Sequence, residues 1–365
     1  MTTATVRAVA ISPDSPGSVH LTTLDVPAPG PDQVEIGVIR VGVCGTDREL
    51  IRGEIGFPPV GSHELVLGHE VLGRVHTVGA NVTDLQPGEL VTVTVRRPDG
   101  CPACQAGQPD MCIERNYTER GIAGANGFMA DRIVEDRRWV IPVPERLEAT
   151  AVMTEPLTVV EKAVRQAQLI QRRMNWWGLR TALVMGAGPI GILGTLLLRS
   201  MGVTVYTLAR TPAPNPAATI VEACGATYVS VREQPAVELA ASLPNIDLIL
   251  ESSGSSAVVF ESMKLIGNNG VLVLLSLTGG HTPQEVDTAV LNTSLVAGNK
   301  VVVGSVNAGL EDFTNAVTSL ERFDELWPGL TASMITHRFR PEDDLVHATG
   351  NLEGGIKSVI EFGGA

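Results

Sequence analysis

Thr181-Ala182-Leu183-Val184-Met185-Gly186-Ala187-Gly188-Pro189-Ile190-Gly191 is the stretch that decides how this chain folds. Thr181 to Met185 has the composition of a buried strand, and Pro189 to Ser200 reads as a helix. Between them lies a Gly-x-Gly-x-x-Gly loop. The first glycine permits a tight turn, the second lets backbone approach a pyrophosphate, and the third lets helix and strand pack closely. The helix start adds unpaired amides and a positive dipole end, which suit phosphate. Gly186, Gly188, Pro189, Ile190 and Gly191 are therefore candidate dinucleotide contacts. In a chain with 38 glycines the triplet alone would be weak. Its place between strand and helix gives it weight.

Further strands are predicted downstream at Val203 to Leu208, Ala226 to Val231, Ile246 to Leu250, Val271 to Leu277 and Lys300 to Val306, with part of a helix at Thr219 to Cys224. Upstream, Leu157, Val160, Ala163, Val164, Ala167 and Leu169 fall mostly on one helix face. This alternation predicts a doubly wound parallel sheet, an α/β architecture. Ribose selectivity in such folds is read after the second strand, where an acid accepts from the NAD hydroxyls. Here the segment is Leu208-Ala209-Arg210-Thr211, with no acid. Arg210 can pair with a 2′-phosphate. NADP is the favoured cofactor, NAD the alternative, and Thr211 a neighbouring contact. The bland reading of Arg210 is a solvated loop residue.

The first third of the chain differs in texture. Val6 to Ile11, Val34 to Val41 and Glu89 to Val95 are short strand-like runs between Pro/Gly turns, as in a small β-barrel. After Asn307 come a predicted helix, Leu310 to Phe323, and a final strand, Ile356 to Phe362.

Composition narrows the field. Hydrophobic residues make up 44% and charged residues 18% of 365, so a globular chain of two domains is expected. A net charge of −13 argues against a nucleic-acid partner. The longest helical apolar stretch, Ile190 to Leu198, is too short to span a bilayer, and the first residues lack the apolar core of a secretory signal. A cytoplasmic location with no membrane partner is expected. Five cysteines are too few and too clustered for a disulfide framework.

Two sets of residues suit metal. Cys44, in Val43-Cys44-Gly45-Thr46-Asp47, and His69 and Glu70, in Leu67-Gly68-His69-Glu70, offer a thiolate, an imidazole and a carboxylate. A catalytic zinc needs about three such ligands and an open position. Glu155 is a fourth ligand or the holder of a metal-bound water. Gly45 and Gly68 permit tight turns beside the ligands, and Asp47 reads as a residue that holds the ligand loop. Taken singly, Cys44 is a small buried hydrophobe, His69 a core histidine and Glu155 a loop acid. Their order ahead of a dinucleotide loop favours metal. The second set is Cys101, Cys104 and Cys112, with Asp99 as the fourth ligand of a structural zinc, since Pro98 stands where a regular lobe has its first cysteine. The competing reading is an empty lobe of free thiols.

With these residues the chain resembles the zinc-dependent medium-chain dehydrogenase/reductase family over essentially its whole length. Within it, the chain is most similar to glucose 1-dehydrogenases of archaeal type. The segments that carry this are Val43-Cys44-Gly45-Thr46-Asp47, Arg96-Arg97-Pro98, Gln108-Pro109-Asp110-Met111-Cys112, Glu119-Arg120-Gly121-Ile122, Glu155-Pro156-Leu157, Glu161-Lys162-Ala163 and Val303-Gly304-Ser305-Val306-Asn307. The resemblance implies a GroES-like β-rich catalytic domain from residues 1–156 and 307–365, with a Rossmann NAD(P)-binding domain at 157–306. It implies that Cys44, His69 and Glu70 bind catalytic zinc, with Glu155 at the zinc, its water or the sugar. It also implies that Thr46 lines the pocket and passes on a proton, that Glu119 accepts from sugar hydroxyls, and that Asn307 lies near nicotinamide and sugar. Two positions depart from some relatives, which carry Asp where Val159 stands and Asn where Val95 stands. A buried Glu119 and Asn307 would be costly beside an alkyl alcohol and useful beside a sugar. The bland reading of Glu119 is a surface acid paired with Arg115 or Arg120.

The expected activity is oxidation of D-glucose, or another aldose such as galactose, at the anomeric carbon, with hydride transfer to NADP. Alternatives are a zinc-dependent polyol or other sugar dehydrogenase, and a non-enzymatic NADP-binding protein on the same fold. A homodimer or homotetramer is expected from the resemblance.

Overall fold

The computed structural model describes residues 3–279, 281, 283–350 and 352–364. It divides into two compact units: Met1–Glu155 with Asn307–Glu321 and Ile335–Ala365, and Pro156–Val306 with Arg322–Met334.

The first unit is β-rich. One sheet runs Val140–Pro142, Leu90–Val93, Glu70–Val78, Gln33–Val43, Lys357–Glu361, Ile335–Phe339, and Arg132–Asp136 also pairs with Gln33–Val43. A three-stranded sheet (His20–Pro27, Thr3–Ile11, Leu65–Val66) shares its core, which includes Val9, Ile36, Val41, Leu67 and Phe128. A smaller sheet joins Arg96–Arg97, Thr118–Arg120 and Gly124–Ala125. Gln33–Val43 is the hub. At its C-terminal end Gly42 lies opposite Glu70 and Val43 opposite Ser358, so three segments remote in sequence converge. A side chain on Gly42 would overlap the Glu70 carboxylate and lie 2.8 Å from Lys357 Cε. Only glycine leaves room there.

The second unit carries six parallel strands: β1 (Thr181–Met185), β2 (Thr204–Ala209), β3 (Thr227–Ser230), β4 (Leu248–Glu251), β5 (Val271–Leu274) and β6 (Val301–Gly304). Their spatial order is 3-2-1-4-5-6, the doubly wound order with its switch point between β1 and β4. All five residues of β1 are buried, as a strand covered on both faces requires. Gly186 has φ +114°, open to glycine alone, and a Cβ on Gly191 would strike the Gly186 carbonyl. The first and third glycines of the loop thus serve turn and packing.

Three details depart from expectation. The strands at Val271 and Lys300 end at Leu274 and Gly304, the last pair in register. The strand Ile335–Phe339, which extends the first unit's sheet in parallel with Lys357–Glu361, was not anticipated. Leu169 is exposed on the helix Thr154–Gln171, since it lies about 120° around the axis from Leu157.

Candidate active site

Cys44 ends the hub strand and starts a helix. It is extended (φ −130°, ψ −170°), and its N–H donates to Asp47 Oδ2 at 2.9 Å, so the buried Asp47 ties the first turn of Gly45–Ile51 to it. Asp47 holds the loop, as the sequence suggests. Thr46 is half-buried on that same turn. Gly68 turns in the left-handed region (φ +88°) just before His69, whereas Gly45 has no such strain and simply opens the helix. His69 and Glu70 enter the strand Glu70–Val78 and are buried.

Cys44 Sγ and His69 Nε2 stand 3.2 Å apart. Zinc–sulfur and zinc–nitrogen bonds at a tetrahedral angle would set these atoms about 3.5 Å apart. Two overlapping groups of donor atoms form, each within 4.8 Å: Cys44, Asp47 and His69, and His69, Glu70 and Glu155. His69 belongs to both, while Cys44 and Glu155 do not share a group. His69 Nδ1 and Asp47 Oδ1 face one another at 3.9 Å, both buried without a hydrogen bond. A carboxylate behind the imidazole is the arrangement that orients a metal-binding histidine.

The electrostatics fit a dication. Burial pushes the Cys44 thiol up, opposed by His69. Burial works against a charged His69, but Cys44, Asp47 and Glu155 outweigh it and hold the imidazole well above its usual value. Burial lifts Glu155 to about 7; His69 opposes the rise and Glu70 adds to it. A thiol and three carboxylates gather here against one imidazole and one lysine. Zinc supplies the missing positive charge, and the soft and hard donors present suit it.

That lysine is Lys357, which sequence reading missed. It is buried and ion-paired with Glu70. Burial opposes its charge, but Glu70 and Cys44 hold its pKa above the ordinary value. Strand alternation gave no signal for it, because adjacent Val359 and Ile360 are both buried and so do not single out one inward face. Lys357→Met is expected to lower kcat/KM about 10- to 100-fold, the usual cost of losing a partner behind a metal ligand, with Lys357→Arg restoring part of it. A Lys357→Met variant with unchanged kinetics would refute this role.

Glu119 pairs with Arg96, at 2.9 Å, rather than with Arg115 or Arg120. Arg120 instead meets Glu135. Asn307, at φ +59°, donates from Nδ2 to Glu119 Oε1 at 2.7 Å, and its Oδ1 accepts from the Ala308 N–H at 2.8 Å.

Asp99, Cys101, Cys104 and Cys112 also converge within 4.8 Å. The Cys101 and Cys112 sulfurs are 3.7 Å apart, close to the roughly 3.8 Å of two tetrahedral zinc thiolates. Asp99 accepts from the Cys104 and Cys112 thiols at 3.3 and 3.0 Å and from the N–H groups of Cys101 and Asn116. The Cys112 contact leads in holding its carboxyl well below the usual range. Asp99, not Pro98, closes the set.

In the second unit, Gly186, Gly188, Pro189, Ile190 and Gly191 form the loop after β1, with Pro189 opening the helix Pro189–Ser200. Arg210 is exposed just beyond β2, and the Thr211 carbonyl accepts from the Tyr228 hydroxyl at 2.7 Å.

A family model for the glucose dehydrogenase C-terminus matches residues 148–362, and one for the alcohol dehydrogenase GroES-like domain matches residues 30–145. The chain is 40% identical over 360 residues to a glucose 1-dehydrogenase of Methanocella arvoryzae, covering 98% of this chain and all of that one. It is 40% identical over 342 residues to the glucose 1-dehydrogenase of Halobacterium salinarum, covering 92% and 94%. A solved structure of Haloferax mediterranei glucose dehydrogenase in complex with NADP, Zn and gluconolactone superposes with a TM-score of 0.87 at 30% identity, covering 97% of this chain and 99% of that one.

Proposed function

The chain belongs to the glucose dehydrogenase branch of the zinc-dependent medium-chain dehydrogenases, and on that premise we propose that it oxidises D-glucose, or a closely related aldose, at the anomeric carbon to the lactone. The observation that carries the reading is the part-buried meeting of Cys44 Sγ and His69 Nε2 at 3.2 Å beside the Glu70 and Glu155 carboxylates. When bound, zinc supplies Lewis-acid polarisation of the hydroxyl, and NADP takes up the hydride. Cys44, His69 and Glu70 would hold the metal, with Lys357 behind Glu70. Glu155 would be a further ligand or would hold the metal's water. Glu155, beside His69 and Glu70, would take the hydroxyl proton where it does not itself ligate the metal, with Thr46 as a relay. Glu119 and Asn307 receive the remaining hydroxyls. Asp99, Cys101, Cys104 and Cys112 would hold a second, structural zinc. Gly186, Gly188, Pro189, Ile190 and Gly191 cradle the pyrophosphate, and Arg210 with Thr211 meets the 2′-phosphate.

The decisive experiment is a steady-state rate matrix of aldoses and linear polyols against NADP and NAD. Glucose or galactose with NADP is expected to lead. A linear polyol outrunning every aldose would transfer the chain to the polyol reading. In the same matrix Arg210→Ala should raise KM for NADP about 10- to 100-fold, the worth of a charge-assisted contact, and leave NAD nearly unchanged.

Among the described residues, no helix is long and apolar enough to cross a membrane. The edge strand β6 and the exposed Val290, Val296 and Val306 of the second unit support assembly with further copies as a homodimer or homotetramer. Sedimentation at micromolar concentration should give a multiple of 38.6 kDa, and a monomer would refute it.

A further inference from the structure

Arg96 and Glu119 lie directly opposite one another in the antiparallel strand pair of the small sheet of the first unit, so their side chains share a face. Three donors converge on a single carboxylate oxygen. Arg96 Nε and Nη2 reach Glu119 Oε1 at 3.0 and 2.9 Å, and Asn307 Nδ2 reaches the same atom at 2.7 Å. Among the described residues nothing donates to Oε2, and the Glu119 side chain keeps 13% of its surface exposed. Arg96 is itself locked. Its Nη1 donates to the Asp110 carbonyl at 3.2 Å, its guanidinium stacks 3.7 Å from the Tyr117 ring centroid, and only 5% of its side chain is exposed. A planar fork so fixed sets both position and tilt of the carboxylate, which a lysine could not do.

We propose that Arg96 is a positioning residue for substrate selection. With Asn307 it fastens Glu119 Oε1, so that Oε2 is presented to the substrate as a fixed acceptor for a hydroxyl. The inference rests on the sugar-oxidising reading above and names what makes the Glu119 contact discriminating. A carboxylate free to rotate would accept from water as readily as from sugar. One held in place rewards only a substrate whose hydroxyl lies where Oε2 points, and an analogue lacking that hydroxyl leaves the acceptor unpaired.

The test compares kcat/KM for glucose with the 2-, 3-, 4- and 6-deoxyglucoses in the zinc-loaded parent and in Arg96→Met. In the parent, at least one deoxy sugar should fall about 10-fold or more below glucose, the worth of a hydrogen bond to a charged group. In Arg96→Met that contrast should shrink to under about 3-fold, through a higher KM for glucose with kcat little changed. Arg96→Lys keeps the charge without the fork and should give an intermediate contrast; it carries the test alone where Arg96→Met does not accumulate. A parent without contrast, an undiminished contrast in the variants, or an equal fall for every sugar overturns the inference alone. A parent inactive on all aldoses overturns the functional reading, and the inference with it.

Discussion

Replacing His69 by alanine is expected to cut kcat/KM for the sugar on the order of 10³-fold or more. The imidazole belongs to both donor groups at the site, and its Nε2 is the atom that meets the Cys44 thiol. Polarisation of the hydroxyl by metal contributes several kcal/mol, and about 1.4 kcal/mol is a factor of ten. Zinc content separates this cause from misfolding. The parent should hold two zinc ions per chain, one at each cysteine-bearing cluster, and His69→Ala only one. Cys44→Ser should behave likewise. A variant that keeps parental turnover after chelation would sink the zinc mechanism.

Glu135→Leu should destabilise the chain by about 3–5 kcal/mol, the usual cost of stranding a buried charge. Glu135 is buried between two arginines, with Arg97 Nη2 at 2.9 Å and Arg120 Nε at 2.7 Å. Both guanidiniums lie over aromatic rings, Arg97 5.2 Å from Trp139 and Arg120 5.1 Å from Phe128. Burial already lowers the pKa of each, and Glu135 is what opposes this. Leucine in its place leaves two cations together in an apolar setting. Melting should drop by roughly 10 °C or more. Glu145→Ala, which breaks a pair exposed at its carboxylate end, is the control and should shift melting far less. Equal shifts in the two variants would refute the argument. Because Arg97 and Arg120 flank Arg96 and Glu119 in the small sheet, this trio also supports the strand pair that carries Glu119.

The fold was largely legible because periodicity and glycine chemistry are local. β1, the loop and the helix Pro189–Ser200 follow from residues 181–200, and the alternation around them leads to a parallel sheet. The donor types at Cys44, His69, Glu70 and Asp99 were also legible, since each sits in a short segment whose chemistry is visible by itself. Pairings were not. Glu119 was weighed against its sequence neighbours Arg115 and Arg120, yet its partner is 23 residues away across a strand pair. Lys357 lies 287 positions after Glu70, and no pattern within either segment points to the other.

The sequence by itself determined the kinds of atoms this protein can offer: a thiol, an imidazole, carboxylates, a glycine loop and an arginine beyond β2. It also determined the periodicities that build the two kinds of sheet. The tertiary structure decided which of those atoms meet. Strand register brings Gly42, Glu70 and Lys357 to one point and sets Arg96 opposite Glu119. Hydrophobic periodicity says which face of a strand turns inward but not which strand lies beside it. Only packing the whole chain settles that neighbour, and with it the charge each buried group meets.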